Sequence, residues 1–554
     1  MAHEQALSPI LSVRDLHVAT RGRNPKPILN GISFDIHPGE MLCLVGESGS
    51  GKSVTSLVTM GLLPPDELHP TQGDVLLNGE SVIAAKRDRI SRLRGADMAM
   101  IFQEPMTALN PVLRIGAQMD EIFVAHTRMR AAERRKAALD AYASVNLPDP
   151  ARIYDSFPHQ LSGGQRQRAM IAMALALKPK LLIADEPTTA LDVTTQKQIL
   201  NLIHELQREQ NTAVLFITHD MGVVRDIADR VCVMRRGEMV ETGSVDEVLA
   251  SPKEDYTRAL LSAVPSLTPR PVRPAQQDQA IVEVKALNKV FSFHSFFARL
   301  MRRAAHEVHA VNEVSFGLSR GRTLGIVGES GSGKSTVARC LVSLERPSSG
   351  NVLINGRDTV DLKNHTAPER RAMQMIFQDP NRSLNPRIRI GESLIEGPLN
   401  IGEARDAAMA RAAELIERVG LPRDSLQRFP HQFSGGQRQR IAIARALMMS
   451  PQIIVADEAV SALDVSVQAQ VLDLLAQVQE ERNLAVIFIT HDLRVAAQIC
   501  DDVLVMQRGR VVEYGTAAEI LAHPKAQYTR DLLAAAPGRD WDFQHGRRIE
   551  GVAA

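Results

Sequence analysis

The chain has 554 residues, with 65 Lys and Arg against 64 Asp and Glu, a formal net charge of +1, 44% hydrophobic and 23% charged residues. That balance lacks the basic excess a nucleic-acid partner usually demands, and no apolar run reaches the roughly eighteen residues of a membrane-spanning helix. Cys43, Cys232, Cys340 and Cys500 stand singly, without the paired spacing of a zinc site, a cluster or a disulfide framework, and are read as core packing.

The N-terminal residues lack the basic and apolar regions of a secretory signal, so the chain is expected to stay in the cytoplasm. The apolar run Met41–Val45 reads as a buried strand leading into Gly46, Glu47, Ser48, Gly49, Ser50, Gly51, Lys52 and Ser53, which a helical segment follows. In the pattern G-x-x-x-x-G-K-[ST], glycines let successive N–H groups turn inward as an anion-binding nest at a helix N-terminus. Lys52 can then reach the β- and γ-phosphates of a nucleotide, and the Ser53 hydroxyl can ligate Mg²⁺. Val75–Gly79 reads as a strand closing on an Asn-Gly hairpin turn, and Thr127–Val145 as helical. Ser162, Gly163, Gly164 and Gln165 open a helix predicted to reach Leu177, a second potential anion site or simply a capped helix start. Leu181–Asp185, followed by Glu186, and Val214–His219 are continuous apolar runs ending in polar residues. Such runs suit central parallel strands whose functional ends lie at the carboxyl edge.

The same order returns. Thr323–Val327 leads into Gly328, Glu329, Ser330, Gly331, Ser332, Gly333, Lys334 and Ser335, letter for letter the first loop. Val352–Gly356, the helical stretch Glu403–Val419, and Ser434, Gly435, Gly436 and Gln437 before a helix to Leu447 follow. Ile453–Asp457 with Glu458, and Val486–His491, complete the copy. Lys334 lies 282 residues after Lys52 and Gln378 lies 275 after Gln103, whereas Ser434, Asp457 and His491 each lie 272 after Ser162, Asp185 and His219. The first half therefore holds about ten extra residues before Ser162, read as a surface insertion. Two α/β nucleotide-binding domains are expected, at 1–264 and 281–537, joined by a proline-rich linker at 265–280 and followed by a tail at 538–554.

On these residues both halves, nearly end to end, resemble the ATP-binding cassette (ABC) family. The resemblance implies two tandem P-loop ATPase domains, each with a parallel-sheet core, an antiparallel β subdomain and an inserted helical subdomain. It implies that ATP and Mg²⁺ are the cofactors, with Mg²⁺ held by Ser53, Gln103 and Asp185 and by Ser335, Gln378 and Asp457. Glu186 and Glu458 would polarise the attacking water, and His219 and His491 would sense the γ-phosphate. Thr336 would join the second loop in binding ATP, and Phe291 would stack on adenine where the first half offers Thr20. Ser162–Gln165 and Ser434–Gln437 would complete the sites through head-to-tail pairing, Lys52 sharing a nucleotide with Ser434 and Lys334 with Ser162. Read without the resemblance, the glutamates are strand-end carboxylates and the histidines satisfied core residues.

Two further segments narrow the branch. Tyr256–Pro265 and Tyr528–Pro537 end the halves as in ATPases of peptide and nickel importers, and Arg94–Pro111 and Ala456–Asp464 resemble the fused ATPase of glutathione and dipeptide importers. On residue pattern alone each ending is a short amphipathic helix. The resemblance implies an ATPase that energises import of di- or oligopeptides or glutathione-like solutes, peripheral on the cytoplasmic face of the inner membrane. Its partners would be two integral-membrane permease subunits, docking near Gln103 and Gln378, and an extracytoplasmic solute-binding protein, with no nucleic acid. The alternative is a soluble twin-cassette ATPase acting in translation on the ribosome, a class that usually has a long charged helical linker. The aromatic and basic stretch Phe291–Arg303 is either a solvated loop or a membrane-surface contact.

Overall fold

Continuous apolar runs cannot alternate between core and solvent, so they fold where both faces are covered, in a mostly parallel sheet. The computed structural model, which describes residues 8–103, 108–188, 191–271, 273, 280–293, 306–360, 368–461 and 463–549, builds such a sheet twice. Its contacts divide the chain into one unit of Met1–Leu191, Thr195–Val264 and Pro537–Ala554 and another of Asp192–Thr194 and Pro265–Ala536.

In the first unit the sheet runs, in spatial order, Glu238–Ser244, Arg230–Arg235, Met41–Val45, Ala213–Ile217, Leu181–Asp185 and Met98–Ile101. Only the edge strand Glu238–Ser244 is antiparallel to its neighbour. Every residue of Met41–Val45, Leu181–Asp185 and Ala213–Ile217 is buried. A second, antiparallel sheet of Pro27–Ile36, Leu11–Thr20, Leu68–Leu77 and Glu80–Ser81 supplies Leu11, Val13 and Val75 to the core that also holds Leu42, Ile183 and Leu215. Its hairpin turns on Asn78 (φ 50°) and Gly79 (φ 81°), the two consecutive positive φ angles for which Asn-Gly is suited. Helices Ile115–His126, Ala131–Ser144 and Pro150–Asp155 form the insert, ahead of helix Gly163–Leu175.

The second unit repeats the plan. Its six strands run Met373–Ile376, Ile453–Asp457, Ala485–Thr490, Thr323–Val327, Asp502–Gln507 and Arg510–Thr516, and its antiparallel sheet runs His306–Ser319, Ala280–Phe293, Ser349–Ile354 and Arg357–Asp358. Asn355 (φ 50°) and Gly356 (φ 77°) make the same turn. Helix Arg405–Arg418 lies inside the stretch expected from sequence, as does Ala131–Ser144 in the first unit. Among the described residues, no helix is long and apolar enough to cross a membrane.

Two segments that read as connections are packed. The Arg270 N–H donates to the Ala497 carbonyl at 3.0 Å, and the Arg273 guanidinium pairs with the fully buried Asp501 at 2.9 Å while also reaching Gln479 and Thr323. This holds the start of the proline-rich stretch to the second unit; residues 272 and 274–279, like 294–303 of the aromatic and basic stretch, lie outside the described residues. The tail belongs to the first unit. The Gly538 N–H donates to both Asp226 carboxylate oxygens at 3.0 and 3.1 Å, and Arg225 stacks over the buried Trp541 ring at 4.6 Å. A short hairpin pairs Trp541 with Arg548. Trp541→Ala is expected to destabilise the first unit by about 3 kcal/mol, the low end for core tryptophan truncation because a terminal segment can detach locally. Thermal melting with limited proteolysis checks this, the tail becoming the first site cut.

Candidate functional site

The central strands end together, so Gly46, Asp185 and Glu186, and Thr218 and His219 leave the carboxyl edge of the first sheet side by side. Gly46 (φ 147°) has no room for a side chain, since a Cβ there would meet the Met234 carbonyl at 2.2 Å; Gly328 (φ 148°) faces Met506 identically. Gly51 (φ 106°) and Gly333 (φ 103°) cap helices Lys52–Thr59 and Lys334–Leu341 in the left-handed conformation. Lys52 Nζ donates to the Gly46 and Glu47 carbonyls at 2.7 and 2.9 Å, and Lys334 Nζ to those of Gly328 and Glu329 at the same distances. Burial holds the Lys334 ammonium below its ordinary pKa, and Ser332 Oγ, buried in the loop, has no hydrogen-bond partner among the described residues. A desolvated cation and an unpaired hydroxyl at a glycine-rich helix N-terminus are able to receive an anion.

Opposite the loop, Ser53 Oγ donates to Asp185 Oδ1 at 3.4 Å and Ser335 Oγ to Asp457 Oδ1 at 3.0 Å. Burial, aided by the adjacent glutamate, pushes both aspartates above the usual carboxylate range. Glu186 (φ 46°) and Glu458 (φ 47°) stand in the left-handed region with their N–H groups donated to Ile217 and Ile489, strain of the kind that collects at functional sites. Each glutamate is gripped from both sides. Gln103 Nε2 donates to Glu186 Oε2 at 2.8 Å and Gln378 Nε2 to Glu458 Oε2 at 2.7 Å. His219 Nδ1 lies 3.2 Å from Glu186 Oε1, and His491 Nδ1 lies 3.6 Å from Glu458 Oε1. Burial alone would raise Glu458 and lower His491. Their mutual contact reverses both, leaving the carboxyl below and the imidazole above its ordinary value, an ion pair.

Ser162 and Ser434 cap helices Gly163–Leu175 and Gly435–Leu447, each in a reciprocal capping box with Gln165 or Gln437. Gly163 and Gly435 are unusual. Neither has a positive φ, and a Cβ on either would meet nothing within 4 Å, so the fold of its own unit does not demand glycine there. Gly436, by contrast, is crowded by Val467 at 2.3 Å. Phe291 pairs with Val308 on the strand whose Ala310 carbonyl closes on Gly333, and Lys289 Nζ sits 4.8 Å from its ring; Thr20 instead accepts the Lys26 N–H. Thr336 lies half-buried in the helix after the second loop.

The family profile described as "ABC transporter" matches residues 29–189 and 311–461, more than half of the chain and one stretch per unit. The chain belongs to the ABC transporter family. A second profile, "Oligopeptide/dipeptide transporter, C-terminal region", matches residues 240–291 of this ABC protein. The "Peptidoglycan transport ATP-binding protein YejF" of Agrobacterium fabrum is 46% identical over 540 residues, covering 96% of this chain and 97% of the relative. The "Glutathione import ATP-binding protein GsiA" of Pectobacterium atrosepticum is 45% identical over 562 residues, with 96% and 90% covered. Its Escherichia coli namesake is 44% identical over 590 residues, with 99% and 93% covered.

Sequence reasoning missed the phenols of Tyr256 and Tyr528, which touch Glu47 and Glu329 of the ABC loops, and Ser56, whose hydroxyl reaches Asp185 Oδ2 at 3.4 Å. The Tyr-Thr-Arg repetition was the available signal for the first, and the one-turn spacing from Lys52 for the second. Glu458→Gln removes the main group that raises His491 and leaves burial opposed only by Asp492, so the His491 midpoint is expected to fall from its position in the parent chain; an NMR titration of the ring protons measures it. Gly163→Ala with Gly435→Ala is expected to leave stability to thermal unfolding unchanged or raise it, by up to about 0.5–1 kcal/mol per helix position, while ATPase activity collapses.

Proposed function

We propose that this chain is the ATP-hydrolysing subunit of a binding-protein-dependent importer for peptides, with glutathione-like tripeptides included. The observation that carries the reading is the glutamate held between glutamine and histidine beside a phosphate loop, present in full in both units. The relatives' names and the oligopeptide-transporter match at residues 240–291 support the solute class.

In this reading Gly46–Ser53 and Gly328–Thr336 bind the ATP phosphates, with Lys52 and Lys334 turning from loop carbonyls to phosphate oxygens. Ser162–Gln165 and Ser434–Gln437 add a second set of N–H donors to bound nucleotide, and Phe291 packs against adenine in one site. The oxygen donors Ser53 and Asp185, 3.4 Å apart, and Ser335 and Asp457, 3.0 Å apart, fit Mg²⁺, whose right-angled oxygen ligands at ~2.05 Å stand roughly 2.9 Å from each other. When bound, Mg²⁺ neutralises charge on the phosphates. Gln103 and Gln378, here donating to Glu186 and Glu458, would offer their amide oxygens to the same cation. Glu186 and Glu458, each aimed by its glutamine and histidine partners, accept the proton of the attacking water. His219 and His491 hold the glutamates while facing the γ-phosphate position.

A cavity of about 580 Å³ in the second unit supports a membrane partner. Phe377, next to Gln378, lines it with Leu394, Gly397, Met449, the exposed Leu344 and the desolvated guanidinium of Arg445. Such a groove, in which Glu396 already faces Arg445, suits the apolar face of an amphipathic cytoplasmic helix of a permease. Its place beside Gln378 gives that helix a route to Glu458.

Glu186→Gln with Glu458→Gln is expected to lower turnover by about 10²–10⁴-fold while MgATP binding persists. The measurement is ATPase activity in proteoliposomes with permeases and peptide-loaded binding protein. Undiminished hydrolysis in the double variant overturns the assignment of the base, and hydrolysis indifferent to permease and peptide overturns the transport reading.

A further inference from the structure

We propose that Tyr256 and Tyr528 are positioning residues for the phosphate loops, latching the backbone of Glu47 and Glu329 so that each loop stays open to nucleotide; this rests on the ATP sites read above. The Glu47 N–H donates to Tyr256 Oη at 3.3 Å and the Glu329 N–H to Tyr528 Oη at 3.1 Å. The contact is not a by-product of register. The tyrosine lies 209 residues after its glutamate in the first unit and 199 in the second, yet the same atoms meet.

Each residue of the Tyr-Thr-Arg segment serves that contact. Helices Asp255–Ser262 and Gln527–Ala535 follow edge strands whose Glu241 and Glu513 accept the N–H groups just before the helix. Thr257 and Thr529 are fully buried in the first turn of these helices and fix them against the sheet edge by packing. Arg258 returns to the carbonyls of Pro252 and Lys253, and Arg530 to those of Pro524 and Lys525. The helix is thus clamped to the sheet edge, and the Tyr256 ring is further fixed under Arg235 at 4.7 Å. With its seat fixed, the phenol projects to the loop.

The loop needs such a hold because its other clamp must let go. Lys52 and Lys334 secure the carbonyls of the first two loop residues, and each has to leave them to bind phosphate. The tyrosine then remains on the second residue of the loop. Burial, with the Glu329 charge beside it, pushes the Tyr528 phenol up to about 12, so that hydroxyl is neutral at neutral pH. Because the latch acts equally before and during phosphoryl transfer, its loss weakens ATP binding and leaves kcat alone.

The test is Tyr256→Phe with Tyr528→Phe in the full chain, which keeps both rings and removes both hydroxyls. MgATP titration by calorimetry is expected to show Kd raised by about 2–10-fold, the value of one neutral hydrogen bond, with kcat within twofold and the nucleotide-free melting temperature unchanged. Amide exchange at Glu47 and Glu329 is expected to quicken while the sheet amides hold. Unchanged Kd and exchange in the variant overturn the latch, as does a lowered kcat at unchanged Kd. A parent chain that fails to bind MgATP overturns the site reading beneath it. If the double variant proves unstable, Tyr528→Phe alone, read by exchange at Glu329 against Glu47 in the same molecule, decides the matter.

Discussion

Both sites depend on the carboxyl edge of a parallel sheet whose strands are buried on both faces. Such strands cannot bend into solvent to place a side chain, so every functional group must leave where a strand stops. The register sets those stops at one level, with Asp185 opposite Ile217 and Asp457 opposite Ile489. Glu186 and Glu458 then have a single residue in which to turn, and they do so with positive φ. That turn points each carboxylate at a glutamine from the strand end on one side and a histidine from the strand end on the other, a three-strand convergence that no local loop could produce.

The same edge concentrates unsatisfied charge. Burial disfavours the ionised forms of Asp185, Asp457 and Lys334. A carboxyl whose folded pKa lies above its unfolded value costs stability once the unfolded form ionises, and that cost is absent below both values. At neutral pH the fold therefore carries a penalty at each aspartate, which a cation held by the same oxygens would remove. The site is stable enough to form and poised to gain from its ligands. Glu458 and His491 show the opposite case. The depressed carboxyl contributes stability above its unfolded pKa, the raised imidazole contributes below its own, and the pair is therefore at its best between those limits.

How much of this was legible in the residues follows from the range of each signal. Met41–Val45, Leu181–Asp185 and Ile453–Asp457 are plain as strands because fully buried strands need unbroken apolar runs, and the Asn-Gly turns because two positive φ angles restrict composition. Helix Ala131–Ser144 starts four residues later than its periodicity suggests. Thr127 folds its hydroxyl back on the Phe123 carbonyl to end the preceding helix, and Arg130 donates its N–H to Glu133 to begin the next. The left-handed Glu186 was invisible because nothing in composition marks it. The packing of Trp541 under Arg225 and the reach of Tyr256 to Glu47 were equally hidden, since contacts across 200 or more residues leave no local periodicity.

Duplication has not made the two sites identical, and one difference touches how the helical insert communicates with the glutamate. Gln167, on the helix capped by Ser162, donates its side-chain amide to the carbonyl of Pro187, the residue after Glu186. Proline there stiffens the turn and leaves its carbonyl as the only backbone hydrogen-bonding group. The equivalent turn of the second unit has Ala459 after Glu458, and Gln439, which stands where Gln167 does, is buried with its amide nitrogen unpaired among the described residues. The helix after the insert is therefore tied to the residue following Glu186 in the first unit, while the matching amide of the second has no partner among the described residues. The two units thus differ in this tie as well as in Phe291 against Thr20, while both hold the loop lysine, the glutamate and its glutamine and histidine partners.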